Sequence, residues 1–230
     1  MSENSFIAWL DEWFDGLRPE NLDNVITDPK KTAVVSVDVI NGFCREGPLA
    51  SPRVAGIVAP IVKLFKDVFR AGVRNFILLQ DTHDSDAAEF STYPPHCRIG
   101  TKESETVPEL SKLPFADIFV KVPKNSISPS YGTHFNRWLE EHKDVSTFIV
   151  VGDCTDICVY LLSLHLKVYA DAYNLKRKVI VPADSVDTFD IPVATAKKLK
   201  IMPHDGQFLH KVFLYHMRLN GVEVVKKIVI

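Results

Sequence analysis

A single α/β domain, with a parallel sheet covered by helices on both faces, is what this sequence predicts. Three observations carry the prediction. Continuous apolar runs recur along the chain, such as TAVVSV at 32–37 and FILL at 76–79; a strand buried on both faces requires runs of this kind. Segments with apolar residues at helical spacing alternate with them, the pattern of strands joined by crossover helices. Polar, chemistry-bearing residues fall just past the ends of the runs, the edge at which open parallel sheets gather functional groups. A length of 230 residues fits one such domain.

Residues 5–16 read as an amphipathic helix with Phe6, Ile7, Leu10, Trp13 and Phe14 on one side. They belong to an N-terminal helical extension, 1–28, that covers a domain of residues 29–230. The first strand, 32–37, ends at Asp38. A helix follows over 52–71, with Val54, Ile57, Val58, Ile61, Leu64, Phe65 and Val68 at helical spacing and Gly72 as its stop. The second strand, 76–79, runs into Gln80 and Asp81, and a polar loop extends to about 107. A strand at 118–122, a helix at 133–141, a strand at 147–151 and a helix at 155–173 come next. A fifth strand at 178–182, helices near 191–200 and 205–218, and a last strand at 222–225 complete the reading.

Composition excludes several classes. An apolar fraction of 46% supports a core and argues against disorder. A net charge of −2 offers no footprint for nucleic acid or an anionic membrane. No run approaches 18 apolar residues, and MSENSFIAWLDEWFDGL is not a secretory signal. Four cysteines in a chain of this length do not make a disulfide framework. Free thiols and no export signal predict a cytoplasmic protein.

The most telling stretch is VVGDCTDICVY, 150–160. A strand meets a Gly, then polar residues, then Cys158 at the start of a helix. There the positive end of the helix dipole favours a thiolate. Asp38, at a strand end, is costly to bury without partners; beside a thiol it becomes a general base. Lys121 and Lys124 flank Pro123 in KVPKNSIS, and one ammonium beside the thiol and carboxylate would stabilise developing negative charge. The loop DTHDSDAAEFSTYPPHC holds Asp81, His83, Glu89 and His96, a carboxylate and imidazole set that suits Zn²⁺, with Fe²⁺ or Mn²⁺ as alternatives. Cys154 and Cys158 are spaced C-x₃-C, which is wrong for a C-x-x-C redox pair. Cys44 and Cys97 read as packing or loop thiols.

Three motifs in order then carry a resemblance. VSVDVINGFCREGPLA, YPPHCRIGTKESETVPEL and VVGDCTDICVY resemble segments of the isochorismatase-like cysteine hydrolases, and within them the nicotinamidases. The resemblance covers about 32–225 and implies a Rossmann-like, isochorismatase-type sheet. It implies a catalytic triad of Asp38, Lys124 and Cys158; Lys124 rather than Lys121, because the family's Lys-x-x-x-Ser pattern fits Lys124 to Ser128. It implies a cis peptide at Asp153–Cys154 and an oxyanion hole from the backbone N–H groups of Cys154 and Cys158. It implies a divalent metal, zinc before iron or manganese, on Asp81, His83, Glu89 and His96. Phe43, Tyr93 and Tyr131 would contact the substrate ring.

The implied reaction is deamidation of nicotinamide to nicotinic acid and ammonia through a cysteine thioester. The resemblance also implies a homo-oligomer with a small-molecule amide as partner. The chain departs from the pattern at Ile40, where the family often has Gln, at Ile157, where some nicotinamidases have a polar residue, and at Ser128, Pro129 and Ser130, where Ser-Ala-Phe is usual. Other readings are an isochorismate-type hydrolase, a hydrolase of another amide or carbamoyl compound, a non-catalytic regulator on the same fold, and a structural zinc module.

Overall fold

Alternation along each apolar run sorts its side chains onto two faces of one sheet. Val34, Phe76, Leu78, Ile149, Val151 and Ile180 point into one buried cluster, whereas Ala33, Val35, Val37, Ile77, Leu79, Phe148, Val150 and Val181 point into another. Both faces must therefore be covered, and helices cover them. The structure, a computed structural model, describes residues 3–230; Met1 and Ser2 of the expected 1–28 extension lie outside the described residues.

The main elements, in chain order, are α1 (Glu3–Asp15), β1 (Thr32–Val37), α2 (Val58–Arg70), β2 (Asn75–Asp81), β3 (Phe119–Lys124), α3 (Phe135–Glu141), β4 (Thr147–Asp153), α4 (Cys158–Ala172), β5 (Lys178–Pro182), α5 (Val193–Leu199), α6 (Gly206–Leu219) and β6 (Glu223–Val225). The strands lie in the order β3-β2-β1-β4-β5-β6, every neighbouring pair parallel. A short strand, Val186–Asp187, pairs with the end of β4. This is a doubly wound order that reverses between β1 and β4, and such sheets hold ligands in the crevice at that reversal.

Close approach at the reversal depends on Gly152. Its φ is +115°, and a Cβ there would stand 1.9 Å from the carbonyl oxygen of Val37. Only glycine lets β4 pass β1 at this point.

Several boundaries differ from the sequence reading. The expected 52–71 helix is two pieces, Pro52–Gly56 and Val58–Arg70, meeting at Ile57 beside Gly56. β2 and β3 each run two residues further, to Asp81 and Lys124. Pro123 is tolerated because β3 is the edge strand, where a missing N–H breaks no ladder. α4 starts at Cys158, not 155, and α3 at Phe135, not 133. Phe6, Trp9 and Trp13 of α1 set their rings edge-on to Tyr215 of α6, and Lys211 Nζ lies 2.5 Å from Asp11. Glu20–Asn21 pairs in parallel with Ile228–Val229 in a separate two-stranded ladder.

Candidate active site

The ends of four strands bring together Asp38, Asp81, Lys124 and the turn that leads to Cys158. Register does this directly. Asp81 and Lys124 are partners across β2 and β3, and Val37, just before Asp38, is level with Leu79 and Gly152. Asp38 has φ +53°, an unusual conformation for a non-glycine residue, and its Oδ1 accepts from the Asp81 N–H at 2.8 Å.

Lys124 is the centre of the group. Its ammonium has three N–H donors and three neighbours: Asp38 Oδ2 at 2.8 Å, Cys158 Sγ at 3.7 Å, and Asp81 Oδ1 in a short ion pair. All four side chains are almost fully buried. Lys121 lies on the other side of the edge strand and is exposed.

Burial and charge set the proton affinities. Burial, with the Asp81 charge beside it, pushes the Asp38 carboxyl up to about 6 despite Lys124. Burial would also raise Asp81, but the Lys124 ammonium and the two histidines outweigh it and hold that carboxyl well below the usual range. Burial opposes the Lys124 charge, yet the Asp38 and Asp81 carboxylates keep its proton affinity well above the ordinary lysine value. Burial holds the Cys158 thiol well above its ordinary value, with Lys124 pulling the other way. Desolvation thus works against the thiolate that the helix dipole favours.

The turn from β4 to α4 contains a cis peptide at Asp153–Cys154. The Cys154 carbonyl accepts from Ile157 and Val159, at 3.0 and 3.1 Å. Among the described residues, the amide N–H groups of Cys154 and Cys158 find no acceptor. Thr155 donates its N–H to the Asp187 carbonyl at 3.0 Å, and its hydroxyl pairs with His210 Nδ1 at 2.9 Å, which ties the turn to α6.

Next to the lysine, Asp81, His83, Glu89 and His96 place one donor atom each within 4.8 Å of one another. His83 Nε2 is 3.5 Å from Asp81 Oδ2 and 3.8 Å from Glu89 Oε1, and His96 Nε2 is 3.7 Å from Asp81 Oδ2. The other ring nitrogens are already taken. His83 Nδ1 meets Asn125 Oδ1 at 3.3 Å and His96 Nδ1 meets the Pro94 carbonyl at 2.8 Å. His83 Nε2 is buried with no hydrogen-bond partner. Two imidazole nitrogens and two carboxylates, with an orphaned buried nitrogen among them, fit a divalent cation of the zinc, iron or manganese type.

One pocket joins these groups. Asp38, Asp81, Glu89, His96, Asp153, Cys154 and Cys158 give its polar side, and Phe43, Leu49, Tyr93, Ile127, Ile157 and Phe189 its apolar side. Phe43 and Tyr93 both face the His96 ring edge, at 5.6 and 6.3 Å between centroids. Tyr131 does not line the pocket. It stands 78% exposed, away from the ring contact expected of it. Leu49, Ile127 and Phe189 went unread in the sequence. Phe189 had the one available signal, an aromatic shortly after a strand at the functional edge of the sheet.

Residues 32–224 match the family model described as the isochorismatase domain. The chain is 32% identical over 223 residues to Nicotinamidase 1 of Arabidopsis thaliana, covering 89% of each chain. Among solved structures, a nicotinamidase from Bacillus subtilis aligns with a TM-score of 0.64 at 26% identity, over 85% of this chain and 99% of that one. A pyrazinamidase of Pyrococcus horikoshii, solved in complex with zinc, shares the fold with a TM-score of 0.65 at 20% identity, over 85% of this chain and 99% of that one.

Proposed function

This chain belongs to the isochorismatase family, and from that premise we propose that it is a cysteine amidohydrolase that converts nicotinamide to nicotinic acid and ammonia. The observation that carries the reading is one buried ammonium in contact with a carboxylate pair and a cysteine sulfur at the floor of an apolar-walled pocket. A carboxyl with a proton affinity near 6 is mostly ionised at neutral pH and still basic enough to accept a thiol proton.

In the reaction we propose, Asp38 takes the proton of Cys158 as the sulfur attacks the amide carbonyl. Lys124 sits within reach of both groups and offsets the charge that passes between them. The free N–H groups of Cys154 and Cys158 receive the tetrahedral oxyanion. Protonated Asp38 returns its proton to the departing nitrogen, ammonia leaves, and a thioester on Cys158 remains. Asp38 then deprotonates an attacking water, and collapse releases the acid and restores the thiol.

Asp81, His83, Glu89 and His96 would hold a divalent metal, zinc by preference, whose Lewis acidity would bind a ring nitrogen and order water at the pocket. Nicotinamide supplies both parts this pocket calls for, a flat apolar ring and a primary amide. A dicarboxylate such as isochorismate is a poorer fit, since the nearby ammonium of Lys124 is already paired with Asp38 and Asp81.

The test is ammonia release from nicotinamide by the purified protein and by Cys158→Ala. Turnover by the wild type and none by the variant, with the circular-dichroism spectrum unchanged, supports the reading; turnover by the variant refutes the nucleophile.

A further inference from the structure

Phe189 forms part of the pocket wall, and the residues on either side of it are tied down. Arg53 donates from Nε to the Thr188 carbonyl at 3.0 Å and pairs through Nη2 with Asp187 at 2.6 Å. Asp190 accepts from the Gly206 N–H at 2.9 Å. A Cβ on Gly206 would stand 2.4 Å from the Phe189 carbonyl oxygen, so only glycine admits this approach. The wall is thus fixed before any ligand arrives.

His204 completes the brace. Its ring stacks on the Phe189 ring, with centroids 3.8 Å apart and planes 19° from parallel. Nδ1 bonds the Phe189 carbonyl at 2.9 Å, and Nε2 bonds Asp156 Oδ2 at 2.8 Å. Asp156 lies two residues before Cys158. A carbonyl on one nitrogen and a carboxylate on the other both accept, so the surroundings favour a ring that donates twice, and a charged ring suits a place over an aromatic face. Backbone bonds between Ile191 and His204, 2.7 and 2.9 Å, close the neck of the 191–204 excursion and set His204 opposite Phe189.

We propose that Phe189 is a specificity-determining residue that selects ligands with a flat aromatic ring, and that His204 is the positioning residue that fixes the plane of that wall. This rests on the amidase reading for the identity of the ligand but not for the ring recognition itself. A stacked ring contributes about 0.5–1.5 kcal/mol beyond its buried area, which is roughly two- to twelvefold in affinity.

The experiment measures nicotinamide binding by calorimetry in the Cys158→Ala background, which turns nothing over. Phe189→Ala, Phe189→Leu, His204→Ala and the Phe189→Ala/His204→Ala double variant are compared there, and steady-state nicotinamide kinetics are taken with Cys158 intact. Phe189→Leu keeps apolar volume without a flat face and covers the case in which the alanine variant fails to fold.

The expected results are about tenfold weaker binding for Phe189→Leu, and a KM that rises more than kcat falls. His204→Ala shifts KM the same way by a smaller factor, and the double variant adds less than the two singles together. Unchanged affinity in Phe189→Leu overturns the proposal; so does a His204→Ala that lowers kcat with no change in affinity. A wild type that releases no ammonia defeats the amidase reading alone if nicotinamide still binds through Phe189. Absence of binding as well defeats both.

Discussion

A buried ammonium between two carboxylates and a sulfur is a costly arrangement that holds only while every member is present. Truncating Lys124 leaves Asp38 and Asp81 facing each other with no cation. Breaking such a group costs about 3–5 kcal/mol, so Lys124→Met should lower the urea-unfolding free energy by that order and abolish ammonia release. Lys121→Met, at an exposed position on the same strand, should stay within about 0.5 kcal/mol of wild type and keep its activity.

The same residues show what a sequence discloses. Asp38, Asp81 and Cys158 are legible because each ends an apolar run or follows one. The choice of Lys124 over Lys121 came from a motif, and its physical basis is register: Lys124 is level with Asp81 across β2 and β3. Phe189, Ile127 and Leu49 come from three separate loops, and no local pattern marks residues that meet only through tertiary folding. The burial that raises the proton affinity of Cys158 was likewise hidden, because desolvation depends on everything packed around the sulfur.

At the scale of elements, the reversal between β1 and β4 fixes the site, and Gly152 fixes the reversal. Gly152→Ala must push the Val37 backbone aside and adopt a strained φ at once. Its expected effect is a loss above about 4 kcal/mol, read as absence of soluble folded protein or a collapsed thermal midpoint. The loop of candidate metal ligands behaves differently, because hydrogen bonds to Asn125 and to the Pro94 carbonyl already orient its two histidines. Dipicolinate treatment should strip metal and activity together, leave the far-ultraviolet spectrum intact, and be reversed by added Zn²⁺. Unfolding on chelation would instead mark a structural zinc module. The element boundaries missed in the sequence, at Ile57 and at 155–157, have local causes. Gly56 interrupts one helical run, and in the other the Thr155 N–H is drawn to Asp187 and so leaves the helical pattern.

Across the whole molecule, His210 contributes an acid-sensitive share of the stability. Burial depresses its proton affinity to about 4 from the ordinary 6.5, against the pull of Asp187. Between those values the unfolded chain binds a proton that the folded chain refuses, so stability is full above pH 6.5 and falls as pH drops toward 4. The loss reaches about 3 kcal/mol for this group. Urea titrations at pH 7 and pH 4.5 should show it, and His210→Gln, which keeps a polar partner for Thr155, should flatten the difference.

The ladder between Glu20–Asn21 and Ile228–Val229, with α1 seated on α6, has a consequence for synthesis. A ribosome makes the first helix long before the surface that receives it. Phe6, Trp9 and Trp13 stay without their seat on Tyr215 until α6 has emerged, and the strand at 20–21 waits for 228–229. A nascent chain halted before residue 206 would carry these rings without their seat on α6, more open to holdase chaperones than the partial exposure that Phe6 and Trp9 keep in the finished protein.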